Sequence, residues 1–216
     1  MLIQIENVTK RIKGAVVIDR VSMRMESGKV FGLRGINGSG KTMLMRLVAG
    51  LIRPTEGRIL IDGKELGKDM DFPDDMGLLI ENPAFLGGYS GLRNLKLLAS
   101  IQETAGEDEI RSAIARVGLD PDSRKKYRKY SLGMKQRLGI AGAVFERPAL
   151  LILDEPTNAL DAAGVEMLRG IVREEKERGA LVILSCHDTD LLEGMADEIY
   201  FLENGRVVSV ESGEGC

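Results

Sequence analysis

A mostly parallel α/β sheet with helices on both faces is the fold class this chain predicts, and three observations carry it. Apolar runs of strand length alternate with helical spacing through the last third of the chain. A glycine-rich loop follows one such run, and an adjacent pair of acids closes another. In open parallel sheets, ligands bind where the strands end at their carboxyl edge, which is where both features fall.

Taken in order, Met1-Leu2-Ile3-Gln4-Ile5-Glu6 alternates apolar and polar residues like a half-buried strand and lacks the charged and apolar regions of a signal peptide. Val21-Ser22-Met23-Arg24-Met25 repeats that alternation up to the turn Ser27-Gly28. Residues 30–33 read as a strand. The helix that begins near Lys41 gains an apolar face from Met43, Leu44, Leu47 and Val48 and stops at Gly50. Residues 58–63 read as an edge-type strand ending in a turn, and residues 76–80 as another strand.

After Pro83 the pattern changes to helical spacing over 92–103 and 107–117, separated by Gly106. These segments form a helical lobe, whose last helix starts at the N-cap Ser131 and runs to about Phe145. Strands near 149–153, 180–185 and 198–202 then alternate with helices near 162–178 and 188–195. The chain reads as a single domain over 1–216, with a core of 1–83 and 146–216 and the lobe over about 84–145.

Gly35-Ile36-Asn37-Gly38-Ser39-Gly40-Lys41-Thr42 fits G-x-x-x-x-G-K-[ST] between strand and helix. Gly35, Gly38 and Gly40 let backbone N–H groups turn inward around an anion, with Asn37 and Ser39 in the same curve, and the helix adds its positive end. A polyphosphate is the natural guest. Lys41 would lie along the outer phosphates, and the Thr42 hydroxyl would ligate a magnesium ion that keeps most of its waters.

Ala149-Leu150-Leu151-Ile152-Leu153 suits a strand buried on both faces, and it delivers Asp154 and Glu155 at its carboxyl end. Successive side chains on an extended chain point opposite ways. Asp154 would therefore hold the magnesium shell, while Glu155 would face the terminal phosphate and polarise an attacking water. His187, the single histidine, follows the strand Leu181-Val182-Ile183-Leu184 and stands on the same rim, where a phosphate contact is its expected role.

Composition excludes other classes. Against 30 basic residues stand 33 acidic ones, a net charge of -3, so the basic footprint of a nucleic-acid binder is missing and no nucleic-acid partner is expected. Cys186 and Cys216 are too few for a disulfide framework or a zinc cluster, which suits a reducing compartment and a cytoplasmic location. Every apolar run is shorter than the roughly 18 residues of a membrane span.

Ser131-Leu132-Gly133-Met134-Lys135-Gln136-Arg137 completes a set of motifs. With the phosphate loop, the acid pair, Asn158-Ala159-Leu160-Asp161 and His187 in this order, the chain resembles, over essentially its whole length, the nucleotide-binding subunit of an ATP-binding-cassette transporter, with residues 131–137 as its signature segment. The resemblance implies a P-loop NTPase core, an N-terminal antiparallel β part and an inserted helical subdomain. It implies ATP and Mg2+ as ligands, and a head-to-tail dimer in which ATP lies between the phosphate loop of one copy and Ser131 and Gly133 of the other. Asp161 would carry information across that dimer. A separate integral-membrane permease would be the other partner, with this subunit peripheral on the inner face of the cell membrane.

Departures from the family pattern fall at Glu81, at Ile12, and at Leu132 and Met134, where glycine and glutamine are commonest. Glu81, in Ile80-Glu81-Asn82-Pro83, replaces the usual glutamine; an acid there can reach the metal shell or the attacking water, and coupling to the permease is the other role open to it. Ile12, in Lys10-Arg11-Ile12-Lys13, replaces the aromatic residue that stacks on adenine, which predicts looser base selectivity. Leu132, Met134 and the 79–83 segment resemble bacterial exporters of drugs or antimicrobial peptides. A peptide-sensing complex or a soluble cassette acting on ribosomes or nucleic acid are the alternatives. The basic run 124–129 reads as a solvated face, with phosphate or headgroup contact as the other reading.

Overall fold

The computed structural model describes residues 1–101 and 105–215. Two sheets sandwich the helix that follows the glycine-rich loop. The first is antiparallel, in the order β2-β1-β4-β5, and is built from β1 (Leu2–Ile12), β2 (Ala15–Glu26), β4 (Glu56–Ile61) and β5 (Lys64–Glu65). The second has the order β10-β9-β3-β8-β7-β6. Its parallel strands are β3 (Val30–Arg34), β6 (Met76–Leu79), β7 (Leu150–Leu153), β8 (Leu181–Ser185) and β9 (Glu198–Glu203), and β10 (Arg206–Ser212) closes one edge antiparallel to β9.

Strand alternation divides the interior into two cores. Leu150, Ile152, Leu181 and Ile183 face the antiparallel sheet and α1 (Lys41–Val48), where they meet Phe31, Leu44, Leu47 and Ile59. Leu151, Leu153, Val182 and Leu184 face the opposite way, toward Leu138, Val144, Leu168 and Val172. All four residues of β7 are fully buried because both of its faces are covered. Each such leucine or isoleucine contributes about 1.5–3 kcal/mol over its exposed state.

Residues 91–144 carry α2 (Gly91–Ala99), α3 (Glu107–Arg116) and α4 (Leu132–Val144). Helix α4 lies so close to β6 that a Cβ at Gly77 would stand 1.9 Å from the Ala143 carbonyl oxygen. Helices α5 (Ala162–Glu177) and α6 (Thr189–Glu193) return the chain between β7, β8 and β9. Among the described residues no helix is long and apolar enough to cross a membrane.

Several expected elements differ in extent. The first two strands continue to Ile12 and back from Ala15, because the turn at Lys13 and Gly14 closes one long hairpin. Strand β4 is not an edge, since two-residue β5 pairs along it. Helix α2 ends at Ala99 with Ser100 as its cap rather than continuing toward 103, and Glu103 lies outside the described residues, as does Cys216. The strand Arg206–Ser212 has no counterpart in the expected series.

Candidate functional site

The order β3-β8-β7-β6 sets the loops after these strands side by side along one edge. Leu153 pairs with Leu184, so the chain leaving β7 at Asp154 and Glu155 runs beside the chain leaving β8 at Ser185 and His187. The phosphate loop leaves β3, the next strand along. A cavity of about 460 Å³ opens there, lined by residues 37–43, Glu155, His187, Val16, Val17, Asn204 and Gly205. That volume lies in the range of small-molecule pockets.

The loop's curve depends on backbone that carries no side chain. Gly35 has φ 157, and a Cβ on it would meet the Leu202 carbonyl oxygen at 2.3 Å and Ser39 Oγ at 2.5 Å. Lys41 is 5 % exposed; its Nζ donates to the Gly35 carbonyl at 2.7 Å and stands 3.8 Å from Glu155 Oε1. The buried Ser39 hydroxyl has no hydrogen-bond partner. A buried hydroxyl without a partner is costly, and a bound phosphate oxygen would remove that cost.

Thr42 Oγ1 donates to Asp154 Oδ2 at 2.6 Å, and Ser185 Oγ donates to Asp154 Oδ1 at 2.7 Å. Ser185 Oγ in turn accepts the Glu155 N–H at 2.9 Å. Among the described residues no group of three or more His, Cys, Asp or Glu is placed to hold a metal. Thr42 and Asp154 supply two hard oxygen donors, which fits magnesium completing its shell with water and nucleotide phosphates.

Glu155 is the most perturbed group in the cavity. Its φ is 48, so the chain has already left the extended form, and the opposite-facing rule for the two acids gives way to a turn held by Ser185 and Gln136. Burial pushes its pKa above the ordinary 4.5, with His187 and Lys41 pulling the other way. His187 Nε2 stands 3.2 Å from Glu155 Oε1, while both carboxylate oxygens lack a hydrogen-bond partner. Burial, a raised pKa and a place on the cavity wall are the features that a general base requires.

The structure thus brings together the residues of the phosphate loop, Asp154, Glu155 and His187. It does not bring the other expected residues to this cavity. Ser131 caps α4 and accepts the Met134 N–H at 3.2 Å. Gly133 faces the Ala159 carbonyl, 2.9 Å from where its Cβ would be. Asp161 caps α5 and accepts Arg137 Nη2 at 2.8 Å, and the Gly164 N–H bond leads the effects that lower its pKa. Ile12 pairs with Ala15 at the hairpin end, and Val16 and Val17 supply the apolar lining instead. Glu81 does not line the cavity, and Arg46 Nη2 on α1 binds its Oε1 at 2.5 Å.

Sequence reasoning missed Val16, Val17, Ser185, Asn204 and Gly205. The dipeptide Asn204-Gly205 between two apolar runs is a hairpin signal that marks both this wall and strand β10. Nothing in the sequence distinguishes the valines.

Such a cavity, with lysine, threonine and acids around a phosphate loop, defines a P-loop nucleotide-binding cassette. The family model described as ABC transporter matches residues 18–158, and the chain belongs to that family as its ATP-binding, ATP-hydrolysing subunit. It is 46% identical over 210 residues, 97% of its length and 96% of the relative's, to the uncharacterized ABC transporter ATP-binding protein YybJ of Bacillus subtilis (strain 168). It is 35% identical over 209 residues to the bacitracin transport ATP-binding protein BcrA of Enterococcus faecalis, covering 96% of this chain and 68% of that one. With the lantibiotic transport ATP-binding protein SrtF of Streptococcus pyogenes it shares 34% identity over 215 residues, 99% of this chain and 92% of SrtF. Among solved structures, an ATP-binding subunit of an ABC transporter superposes with TM-score 0.88 at 26% identity, over 98% of this chain and 90% of that one. A bacterial ABC transporter cassette solved as a dimer superposes with TM-score 0.89 at 23% identity, over 99% of this chain and all of the other.

Proposed function

We propose that this chain powers an exporter of drugs or antimicrobial peptides, docked on an integral-membrane permease at the inner face of the cell membrane. The observation that carries the catalytic part is the convergence of Lys41, Thr42, Glu155 and His187 on one cavity, with Asp154 hydrogen-bonded to Thr42 behind it. The cargo class rests on the bacitracin and lantibiotic relatives.

In this reading Lys41 and the loop N–H groups of residues 37–42 hold the outer phosphates of ATP. Thr42 and Asp154 would hold magnesium, which when bound would supply positive charge against the negative charge developing on the transferred phosphoryl group. Glu155 orients a water and accepts its proton, and His187 keeps the carboxylate and the terminal phosphate in register. Ser131 and Gly133 serve a nucleotide bound by a second copy, because a helix N-terminus attracts phosphate and theirs lies off this cavity. Asp161 links the two sites by joining α5 to Arg137 of the signature helix. The core of 1–83 and 146–216 supplies the chemistry, and the lobe of about 84–145 supplies the signature and, with the Glu81 loop, the permease contact.

The test is transport. The chain and the membrane protein that co-purifies with it, reconstituted in inside-out vesicles, accumulate a labelled lantibiotic only with magnesium and ATP. Equal accumulation without ATP would refute export, and kinase activation without accumulation would replace it by sensing.

A further inference from the structure

Glu81 follows β6 with φ 59, a left-handed conformation uncommon for a glutamate, in a loop fixed on both sides. On one side the Tyr127 hydroxyl donates to the Pro83 carbonyl, and Pro83 packs on α4 so closely that a Cβ at Gly139 would lie 2.8 Å from its Cβ. On the other, Arg46 grips the Glu81 carboxylate. Arg46 lies one helical turn beyond Thr42 on α1, and residues four apart share a helix face. The acid is therefore tied to a helix face that also carries Thr42, whose hydroxyl meets Asp154.

We propose that Arg46 is a positioning residue for nucleotide binding: it neutralises Glu81 and holds it beside the phosphate helix, outside the magnesium-phosphate shell. The proposal rests on the nucleotide site described above. An unpaired carboxylate at this position faces a polyphosphate of the same sign. Within roughly 5–10 Å each pair of like charges is worth enough, even in a watery dielectric, to weaken binding about two- to four-fold. Arg46 cancels that repulsion, and it ties the loop that touches the lobe to the helix that touches the nucleotide. The side chains are 32% and 61% exposed, so the direct pair adds little to folding, and its consequence is the placement of charge.

The test is equilibrium binding of a fluorescent ATP analogue, with and without magnesium, to the full chain, with thermal unfolding as a check on the fold. Arg46→Met weakens binding about five-fold. Adding Glu81→Gln to that variant restores affinity to within two-fold of the parent, and Glu81→Gln alone leaves it near the parent value. Arg46→Lys, which keeps the charge, binds like the parent. If Arg46→Met weakens binding equally with and without Glu81→Gln, or weakens it in neither case, the proposal is overturned. Failure of the parent chain to bind the analogue strikes instead at the nucleotide site itself, with Lys41→Ala as the comparison.

Discussion

The phosphate-loop half-site and the signature half-site of this chain differ in how far their polar groups are already engaged. Lys41 is buried against the Gly35 carbonyl, and the Asp154 carboxylate accepts from both Thr42 and Ser185. At the signature, Ser131 is exposed and holds only the N-cap bond, with Leu132 beside it 72% exposed. The first half is preorganised by its own fold, so its polar groups lose little freedom when ATP arrives. The second, in the proposed dimer, is a helix end whose ligand is bound by another copy. Substitutions in the first should therefore act on an isolated subunit, and those in the second only on an assembled pair.

The largest break comes at Glu155. Glu155→Gln keeps the shape and removes the base, so turnover falls by about 10²–10⁴, the range of general base catalysis, while ATP still binds. Phosphate release against nucleotide retention measures both; turnover near the parent value would move the base elsewhere. Because burial raises the pKa of Glu155 above 4.5, the acid limb of the rate profile should lie above that of an exposed glutamate. The same raised pKa means the folded, unliganded chain binds this proton more tightly than the unfolded one. Its contribution to stability is present below pH 4.5 and is lost as pH rises through the folded-state pKa, and Glu155→Gln removes that loss. A thermal midpoint at neutral pH that drops on Glu155→Gln would contradict this sign.

Lys41→Ala comes next. A charge-assisted contact to phosphate is worth roughly 1.5–3 kcal/mol, so ATP affinity falls about 10- to 100-fold in a single subunit, by titration calorimetry. Unchanged affinity would show that the loop N–H groups suffice.

At the signature, two substitutions separate capping from phosphate contact. Ser131→Ala loses the cap, about 1 kcal/mol of stability, together with any hydroxyl contact to phosphate. Ser131→Asp keeps the cap but sets a carboxylate where phosphate should lie. In the Glu155→Gln background, Ser131→Asp should retain the thermal midpoint and single-subunit ATP binding, yet form no ATP-dependent dimer on sedimentation. Dimers at the parent concentration would remove Ser131 from the shared site.

The same contrast explains what the sequence made legible. Strands buried on both faces announce themselves as unbroken apolar runs, so β7, β8 and the acids and histidine after them could be read directly. Ser131 as the cap of α4 was legible because capping is local chemistry. Ser185 was not: a serine at a strand end has many reasons to be there, and only the β7–β8 pairing sets it against Asp154. The fate of Glu81 was equally hidden, since its partner Arg46 is 35 residues away and meets it only through the fold. Strand β10 alternates weakly, with Val208 and Val210 exposed, as an edge strand often does.

The smallest effect sharpens the one place where resemblance and cavity diverge. The family pattern assigns base contact to Ile12, whereas the cavity wall is Val16 and Val17. Ile12 is 38% exposed and Val16 40% exposed, so burial alone does not choose between them. Proximity does, because Val16 stands on the return strand against the phosphate loop's cavity, and Ile12 lies beyond it toward the hairpin end. Trimming an apolar contact by two methyl groups costs about 1.6 kcal/mol when the contact is fully dehydrated, and well under half of that at a partly open wall. Val16→Ala should then weaken ATP about two- to three-fold, with Ile12→Ala unchanged and GTP bound within a few-fold of ATP by either protein. The reverse ranking in a side-by-side titration would return the base to Ile12 and require the hairpin end to fold over the nucleotide when it binds.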